Sequence, residues 1–389
     1  MYRYRRRPFC QCSSWMKNEI SVYVHLPFCV KKCNYCDFLS GSFDDGIKRA
    51  YLKRLLLEID HYGALLSGRM IRSVYLGGGT PSLLDPSFIR SIMKKLTDIT
   101  MLKSGCEITI EMNPGTADER KIGSYRECGI NRFSIGLQSV NDDELASLGR
   151  IHTYGDFLYL YDLLRKNGAS NINVDLMTGI PHESMSSAER TLETVCALKP
   201  EHISVYSLII EDGTPFSQAE KKNLDLPDED EEYAIYEMTR RILSGHGYER
   251  YEISNYAKRG FECRHNITYW DLDDYIGFGA GASSRLGERR FTNIKSVEGY
   301  IGSDDPVFDE DICLDERESM SEFMFLGLRK TAGISRSDFA RRFGKDPSVF
   351  FGSIIERYEG EGLLKMTKDR LAFTERGLDV SNIVLSEFV

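Results

Sequence analysis

Three cysteines with the spacing C-x3-C-x2-C stand in one short run near the start of the chain. They are Cys29, Cys33 and Cys36, and the residues that follow supply no fourth cysteine or histidine nearby. Three thiolates on one loop can hold three irons of a [4Fe–4S] cluster, which leaves the fourth iron with an open coordination position. A cluster that only carries electrons or supports the fold usually takes four cysteines. The run therefore predicts a cluster whose open iron binds another molecule.

Two other interpretations of these cysteines stay open, and a third is weak. Zinc would need a fourth cysteine or histidine at finger-like spacing, and free thiols would need no partner. A disulfide is disfavoured because the cysteines are odd in number and no secretory signal precedes them.

The composition is that of an acidic globular protein. Of the 389 residues, 41% are hydrophobic and 28% are charged, and the formal net charge is −9. Nucleic acid attracts a basic surface, so we expect no nucleic acid as a partner. No apolar run approaches the length of a membrane span. Ten scattered cysteines suit a reducing compartment, which predicts a cytoplasmic location.

The start of the chain is basic, but no apolar segment follows it, so it does not form a secretion signal. We expect residues 1–17 to be a flexible N-terminal extension. Translation starts at either Met1 or Met16, and the sequence leaves both open.

Short apolar segments alternate with amphipathic segments from residue 18 to residue 254. The predicted strands are Ser21–Phe28, Ser73–Gly77, Glu107–Met112, Arg132–Leu137, Ile172–Met177, His202–Leu208 and a short Tyr248–Ser254. The predicted helices are Ile47–Leu66, Pro86–Ile99, Glu119–Cys128, Tyr154–Asn167, Ser187–Leu198 and Asp230–His246. Six alternations imply a parallel sheet with right-handed crossovers.

Polar or glycine residues at the carboxyl ends of the strands favour a barrel over an open doubly wound sheet. Five strands carry them, namely Cys29, Gly77–Pro81, Glu111–Pro114, Gln138 and Asp175. A barrel builds its active site from residues spread over many strand ends. We therefore predict an α/β fold with a partial (β/α)6 TIM-like barrel over residues 18–254, open on one side because six units do not close it.

The sequence after residue 254 indicates two further structural units. Residues 255–313 are rich in glycine and are expected to form an irregular segment that covers part of the barrel. Residues 314–389 predict a winged-helix-like α+β module. Its helices are Glu322–Leu328, Arg336–Phe343 and Ser348–Glu361, and its hairpin is formed by Leu363–Thr367 and Arg370–Thr374. In an acidic chain we expect this module to contact protein or substrate as a lid.

The cysteine run, with Tyr35 before its last cysteine, resembles the loop of radical S-adenosylmethionine (SAM) enzymes. The run Gly77–Pro81 strengthens the resemblance, because glycines let the backbone approach a ligand closely. In that family the open iron binds the amino and carboxylate groups of SAM, and an electron then cleaves SAM to a 5′-deoxyadenosyl radical. The resemblance implies a [4Fe–4S] cluster, SAM, and an electron donor such as flavodoxin or ferredoxin if SAM is cleaved.

Longer phrases resemble the oxygen-independent coproporphyrinogen III oxidase family and its HemW relatives. The phrases are Arg132–Ser139, Leu148–His152 and Asn173–Pro181. By this resemblance the contacts to the cluster-bound SAM are Tyr23, Gly78 and Glu111. The second SAM position, or the adenosyl and carboxylate contacts, comprises Gly79, Thr80, Gln138, Arg150 and Asp175. Tyr35 belongs to the same cofactor-binding set.

Two features separate the branches of that family. The true oxidase has a fourth cysteine two positions after the third, where this chain has Phe38. The segment Arg264–Trp270 matches the H-N-x-x-Y-W segment associated with haem binding in HemW proteins. The match implies His265 as a haem ligand, with the following tyrosine and tryptophan covering a porphyrin face. A packed aromatic turn with His265 in the core, or Cys263 as the axial ligand, stays open.

The resemblance implies a haem chaperone that binds haem and passes it to an acceptor haemoprotein, with peripheral membrane contact only through that acceptor. The alternative is an oxygen-independent coproporphyrinogen III oxidase, and the missing fourth cysteine counts against it. The sequence leaves the acceptor, the number of SAM molecules and the oligomeric state open.

Overall fold

Six parallel strands form the centre of the protein in the computed structural model, which describes residues 18–219 and 224–389. They lie side by side in chain order. Their bounds are β1 Glu19–Leu26, β2 Met70–Gly78, β3 Leu102–Met112, β4 Arg132–Gln138, β5 Ile172–Thr178 and β6 His202–Ser207. This order confirms the predicted partial (β/α)6 barrel. The expected extension 1–17 and Met16 lie outside the described residues.

Helices connect the parallel strands, and polar caps begin most of them. Asp85 accepts from Ser87 N where Pro86 begins one helix, and Thr153 forms a capping box with Asp156 in another. The predicted helix 47–66 is divided at Tyr62. The helices of this part are α1 Asp45–His61, α2 Gly63–Leu66, α3 Pro86–Ile99, α4 Glu119–Glu127, α5 Asp142–Ser147, α6 Tyr154–Lys166, α7 Met185–Leu198, α8 Pro215–Gln218 and α9 Glu229–Gly245.

One face of each central strand is apolar and buried in the main core, as Val22, Val74 and Ile110 illustrate. The alternate positions are largely polar and meet one another inside the barrel. Ser73 donates to Ser21 at 2.8 Å, and Asn173 donates to Ser134 at 2.7 Å. The barrel interior is therefore a polar column enclosed by an apolar shell.

Residues 249–313 extend the sheet at both ends. At one end, β7 Glu249–Arg250 and β8 Asn255–Ala257 follow β6, and at the other β9 Tyr275–Phe278 lies parallel to β1. Beyond β9 come β10 Ser283–Leu286, β11 Arg289–Asn293 and β12 Phe308–Cys313, and the segment also contains α10 Arg264–Trp270 and α11 Val297–Ile301. The predicted strand Tyr248–Ser254 is shorter than expected.

The irregular conformation expected for residues 255–313 is not found, because the segment contains the strands β8 to β12. Its glycines indicated loops, but they permit close contacts between strands. A Cβ on Gly277 in β9 would lie 2.3 Å from the carbonyl oxygen of Ser283 in β10. Only a residue without a side chain allows β9 and β10 to approach in this way.

The C-terminal module has its own apolar core and a sheet of order β13-β15-β14 with antiparallel pairs. Its elements are α12 Glu316–Gly327, β13 Ile334–Ser335, α13 Arg336–Phe343, α14 Pro347–Gly360, β14 Leu364–Met366, β15 Arg370–Phe373, α15 Glu375–Asp379 and α16 Ser381–Ser386. The predicted helices and hairpin are present, and the last two short helices were not predicted. Along the described chain, no helix has both the length and the apolar character needed to cross a membrane.

Candidate cluster and cofactor site

The cysteine loop leaves the carboxyl end of β1 and is closed by backbone hydrogen bonds. Cys29 N donates to Gly41 O at 2.8 Å, and Gly41 N donates to Pro27 O at 2.9 Å. The Cys29, Cys33 and Cys36 thiols are all partly exposed. As placed, no group of three or more His, Cys, Asp or Glu side chains within the described ranges is gathered around a metal position. The donor set nevertheless fits a cluster, because one loop supplies three partly exposed thiols and Cys33 lines an open pocket.

The glycine run at the end of β2 packs directly on the cysteine loop. Gly79 N donates to Leu26 O at 2.9 Å, and Thr80 N donates to Phe28 O at 2.8 Å. A Cβ on Gly79 would lie 2.7 Å from Phe28 N, so the position admits no side chain. Gly78 adopts a φ of +109°, which favours glycine. This contact fixes the position of the cysteine loop relative to the end of β2.

Glu111, at the end of β3, accepts two hydrogen bonds inside the barrel mouth. The Tyr75 hydroxyl donates to Oε1 at 2.9 Å, and Gly78 N donates to Oε2 at 3.0 Å. Burial raises the pKa of Glu111 to about 7, and the nearby Asp175 carboxyl adds to the rise. Glu111 is therefore a partly protonated carboxyl that a neighbouring cationic or N–H donor group would ionise.

Arg150 connects the cysteine loop with the ends of β3 and β4. Its Nη1 lies 3.6 Å from Cys33 Sγ, and its Nη2 donates to Asn113 Oδ1 and Gly136 O, both at 2.6 Å. Its Nε is buried and has no partner among the described residues. Tyr35 also lies against Arg150, where burial raises the pKa of the phenol. Arg150 thus holds positive charge beside the Cys33 thiol.

The other predicted contacts lie at the same end of the barrel. Thr80 Oγ1 lies 3.6 Å from Cys29 Sγ. Gln138 ends β4 with a φ of 77°, an uncommon conformation for a residue with a side chain. Asp175 Oδ2 accepts from Ser134 at 3.1 Å. The Tyr23 hydroxyl lies 3.0 Å from His25 Nδ1. The structure therefore gathers the predicted SAM contacts around one mouth.

Three further residues of this mouth are not among the cofactor contacts predicted from the sequence. They are Tyr75, Asn113 and His152. Tyr75 shares its face of β2 with Ser73 and Gly77, and this two-residue polar period was the signal that could have identified it. His152 donates to Leu137 O, and its buried Nε2 has no described partner while burial lowers its pKa to about 4. It is therefore a neutral imidazole that borders the pocket.

His265 lies one layer below the mouth, toward the amino end of the strands, where its ring stacks on Tyr75 with 5.1 Å between the ring centres. It contacts the layer of side chains formed by Ser21, Ser73 and Glu107, which are neighbours on β1, β2 and β3. Along the strands, this layer precedes the layers of Tyr75 and Glu111. His265 Nδ1 lies 2.9 Å from Ser73 Oγ, and Glu107 Oε1 accepts from His265 N at 3.1 Å. The motif helix α10 therefore covers the amino end of the barrel and does not face the mouth.

Both ring nitrogens of His265 are engaged in this structure. Since Ser73 Oγ donates its proton to Ser21 Oγ, His265 Nδ1 donates to Ser73, and His265 Nε2 accepts from the Tyr269 hydroxyl at 2.8 Å. Burial lowers the pKa of His265 to about 3, so the imidazole is neutral. As placed, His265 is a hydrogen-bonded core residue. Ligation of haem by Nε2 would require α10 to move and the Tyr269 hydrogen bond to break.

Cys263, the rival axial ligand, is also enclosed. Its thiol is fully buried and donates to Glu107 Oε1 at 3.6 Å. Burial raises the pKa of this thiol to about 12, which disfavours the thiolate that would bind iron. The C-terminal module contacts α10, and none of the residues that line the pocket at the mouth belongs to that module. The expected lid over the mouth is therefore not formed by the described contacts.

Comparisons with known families match both parts of the chain. A model of the Radical SAM superfamily matches residues 23–195, and a model of the HemN C-terminal domain matches residues 314–380. Membership of the first family implies a [4Fe–4S] cluster and SAM.

Several curated proteins are similar over most of the chain. Heme chaperone HemW of Bacillus subtilis is 35% identical over 95% of this chain and 99% of its own length. Heme chaperone HemW of Escherichia coli is 38% identical over 69% of this chain and 70% of its own length. The solved structure of coproporphyrinogen III oxidase (HemN) from Escherichia coli superposes with a TM-score of 0.84 at 23% identity, covering 96% of this chain and 91% of that one. At that identity the superposition shows a shared fold.

Proposed function

The chain belongs to the HemW family of the radical SAM superfamily, and on that basis we propose that it is a haem chaperone that passes haem to an acceptor haemoprotein. The observation that carries the proposal is the similarity to heme chaperones along nearly the full length of the chain. Phe38 in place of a fourth cysteine and the segment Arg264–Trp270 support it.

The cluster and SAM have a coherent set of residues at the barrel mouth. Cys29, Cys33 and Cys36 would hold the cluster, and the open iron would bind the amino and carboxylate groups of SAM. When bound, these groups supply one-electron cleavage of SAM if the cluster is reduced. Glu111 is suited to accept from an amino group, and Arg150 is suited to a carboxylate because its planar fork presents parallel donors. Tyr23, Tyr35, Gly78, Gly79, Thr80, Gln138 and Asp175 complete the proposed set.

Replacing Glu111 by Gln should weaken SAM binding to the reconstituted protein without removing iron. A hydrogen bond to a charged group in a partly dry site contributes about 1.5–3 kcal/mol, so the affinity should fall roughly tenfold or more. Because the pKa of Glu111 is about 7, a bound amino group should shift the carboxyl to its ionised form. SAM affinity should therefore rise as the pH increases from about 6 to 8, and the variant should flatten this dependence.

Equilibrium SAM binding across that pH range is the measurement for Glu111. The matched control is Glu119→Gln, which changes an exposed carboxylate of α4. Unchanged affinity in Glu111→Gln, or an equally flat pH profile in the wild type, would remove Glu111 from the SAM contacts.

The haem chaperone should bind haem near one molecule per chain, and His265→Ala should weaken or shift the Soret band. The neutral imidazole has no bound proton at Nε2 to compete with iron. Tyr269→Phe removes the hydroxyl that occupies Nε2, so this variant should keep or strengthen haem ligation. Absorbance titration of both variants against wild type is the measurement. Removing the cluster should leave some haem binding, since the two sites are chemically separate.

Three outcomes would count against His265 as the ligand. The first is an unchanged Soret band in His265→Ala, and the second is a thiolate-type spectrum that is lost in Cys263→Ala. The third is an equal loss of haem in the two single variants Tyr269→Phe and His265→Ala. Thermal unfolding of each variant separates loss of a ligand from loss of the fold, because both side chains are hydrogen-bonded in the core.

The alternative activity, oxidation of coproporphyrinogen III, is tested by the same preparation. Incubated anaerobically with reductant, SAM and coproporphyrinogen III, the protein should form no protoporphyrinogen. Conversion of this substrate, with no more haem uptake than an unrelated acidic protein, would replace the chaperone proposal by the oxidase.

An electron donor such as flavodoxin or ferredoxin, and membrane contact through the acceptor, stay predictions. A cytoplasmic location is also proposed. It is supported by the free thiols of the eight cysteines that the structure describes.

A further inference from the structure

A polar pocket lies between α10 and the C-terminal module. Its volume is about 290 Å³, and Ile267 and Trp270 line it from α10 while Phe323 lines it from the module. His265 contacts the barrel from another face of the same short helix. The haem-associated segment therefore has two faces in this structure, one sealed against the barrel and one open to the pocket.

Cationic side chains outnumber carboxylates around this pocket. Four cations and two carboxylates line it, which leaves an excess of two positive charges in a chain whose net charge is −9. They are Lys330, Arg341, Arg342, Arg370, Asp271 and Asp338. A positively charged pocket lining in a negatively charged protein indicates a site for an anion.

The four cationic side chains make different contacts. Arg342 holds the end of α10 through the carbonyls of Asp271 and Leu272. It also pairs with Asp273 at 3.0 Å, and Lys330 pairs with Asp271. Arg341 and Arg370 are the groups that a ligand could engage.

Arg341 and Arg370 keep donors free toward solvent. The Arg341 side chain is 59% exposed and pairs with Asp338 at 2.6 Å. Arg370 donates to the carbonyls of Ala332 and Gly333 at 2.6 and 3.0 Å. Its described partners are thus neutral, and its guanidinium charge is uncompensated by them. A guanidinium fork matches the geometry of a carboxylate.

Trp270 supplies the apolar part of the pocket and an unused donor. Its indole Nε1 is buried and has no hydrogen-bond partner among the described residues. Buried indole N–H groups usually find a partner. The Arg329 guanidinium lies 5.4 Å from the centre of its ring on one side.

We propose that this pocket binds the propionate edge of haem, with Arg341 and Arg370 on the carboxylates and Trp270 against the macrocycle. The inference rests on the proposed haem chaperone function and names the part of the molecule that holds the cargo. The pocket is at the small end of ligand sites, which span roughly 300–1,000 Å³, so one edge of the porphyrin enters and the rest lies outside. The C-terminal module thereby acts as half of the haem site.

The test compares haem with haem dimethyl ester, in which both propionates are esterified. The full-length protein is titrated with each compound and followed by absorbance. Wild type should bind haem about tenfold more tightly than the ester. Arg341→Ala and Arg370→Gln should each weaken haem binding roughly three- to tenfold, as expected for partly exposed charge pairs, and should leave ester binding unchanged. The matched control is Arg357→Ala, an arginine of the same module with a side chain that is 58% exposed.

The outcomes separate this inference from the function on which it rests. Equal binding of haem and ester by wild type, or an Arg341→Ala variant that behaves like Arg357→Ala, would overturn the pocket assignment while the chaperone proposal stands. A wild type that binds no haem would overturn both. Unfolding temperatures of all variants accompany the titrations, and Arg341→Ala, at an exposed position, should retain the wild-type value.

Discussion

Replacing Cys29, Cys33 or Cys36 by alanine should abolish the iron–sulfur cluster. Anaerobically reconstituted wild-type protein should carry about four irons and four sulfides per chain, and each variant should carry almost none. The reason is that the three thiols of one loop are the only sulfur ligands that the loop supplies, so losing one leaves two. Iron and sulfide assays, with the visible spectrum of the cluster, measure the effect.

Three other cysteines provide matched controls. Cys106 and Cys196 are buried, and burial raises the pKa of each thiol to about 12, while Cys128 lies at the end of α4. Alanine at any of them should leave the iron content unchanged. An equal loss of iron in one of these controls would show that a fourth cysteine ligates the cluster, and the open iron would then be excluded.

Replacing Gly79 by alanine should nearly abolish SAM binding and lower the unfolding temperature. The new Cβ would lie 2.7 Å from Phe28 N and 2.8 Å from Phe28 O, and backbone atoms cannot rotate away. The end of β2 must then move off the cysteine loop, which costs about 1–3 kcal/mol in stability and displaces the glycine run that the cofactor approaches. Iron should be retained in large part, because the cysteines are untouched.

Gly123→Ala is the control for this experiment. Gly123 lies within α4, where a Cβ meets nothing within 4 Å. Alanine there should leave SAM binding unchanged and stabilise the helix by up to about 1 kcal/mol. The measurements are the SAM affinity and the unfolding temperature of both variants. Wild-type affinity in Gly79→Ala would mean that SAM does not depend on this backbone approach.

The order of strands and the positions of the mouth residues were predictable because both depend on local patterns. Apolar faces of period two identified six strands within a few residues, and the central strands pair in chain order as a consequence of short crossovers. Carboxyl ends of parallel strands meet at one rim, so Cys29, Glu111 and Gln138 had to come together. Tyr75 could also have been predicted from the sequence, because it lies on the same polar strand face as Gly77.

The parts that were not predictable depend on contacts between distant segments. Gly277 lies in a stretch with the composition of a loop, yet it belongs to β9, whose partners are β1 and β10. Hydrogen bonds from β1 decide this pairing, and no local pattern encodes it. Asn113 owes its role to Arg150, which lies 37 positions away and donates to it at 2.6 Å.

By itself, the sequence determined the chemistry available to this protein: three thiolates on one loop, a glycine run beside them, and a histidine-aromatic segment without a fourth cysteine near the cluster. Only the tertiary structure decided where these groups stand. It places the thiols at the carboxyl end of the barrel and His265 at the amino end, hydrogen-bonded to Ser73 and Tyr269. The physical reason is that α10 satisfies its polar groups on Ser73 and Glu107. The Tyr75 ring then lies between His265 and Glu111.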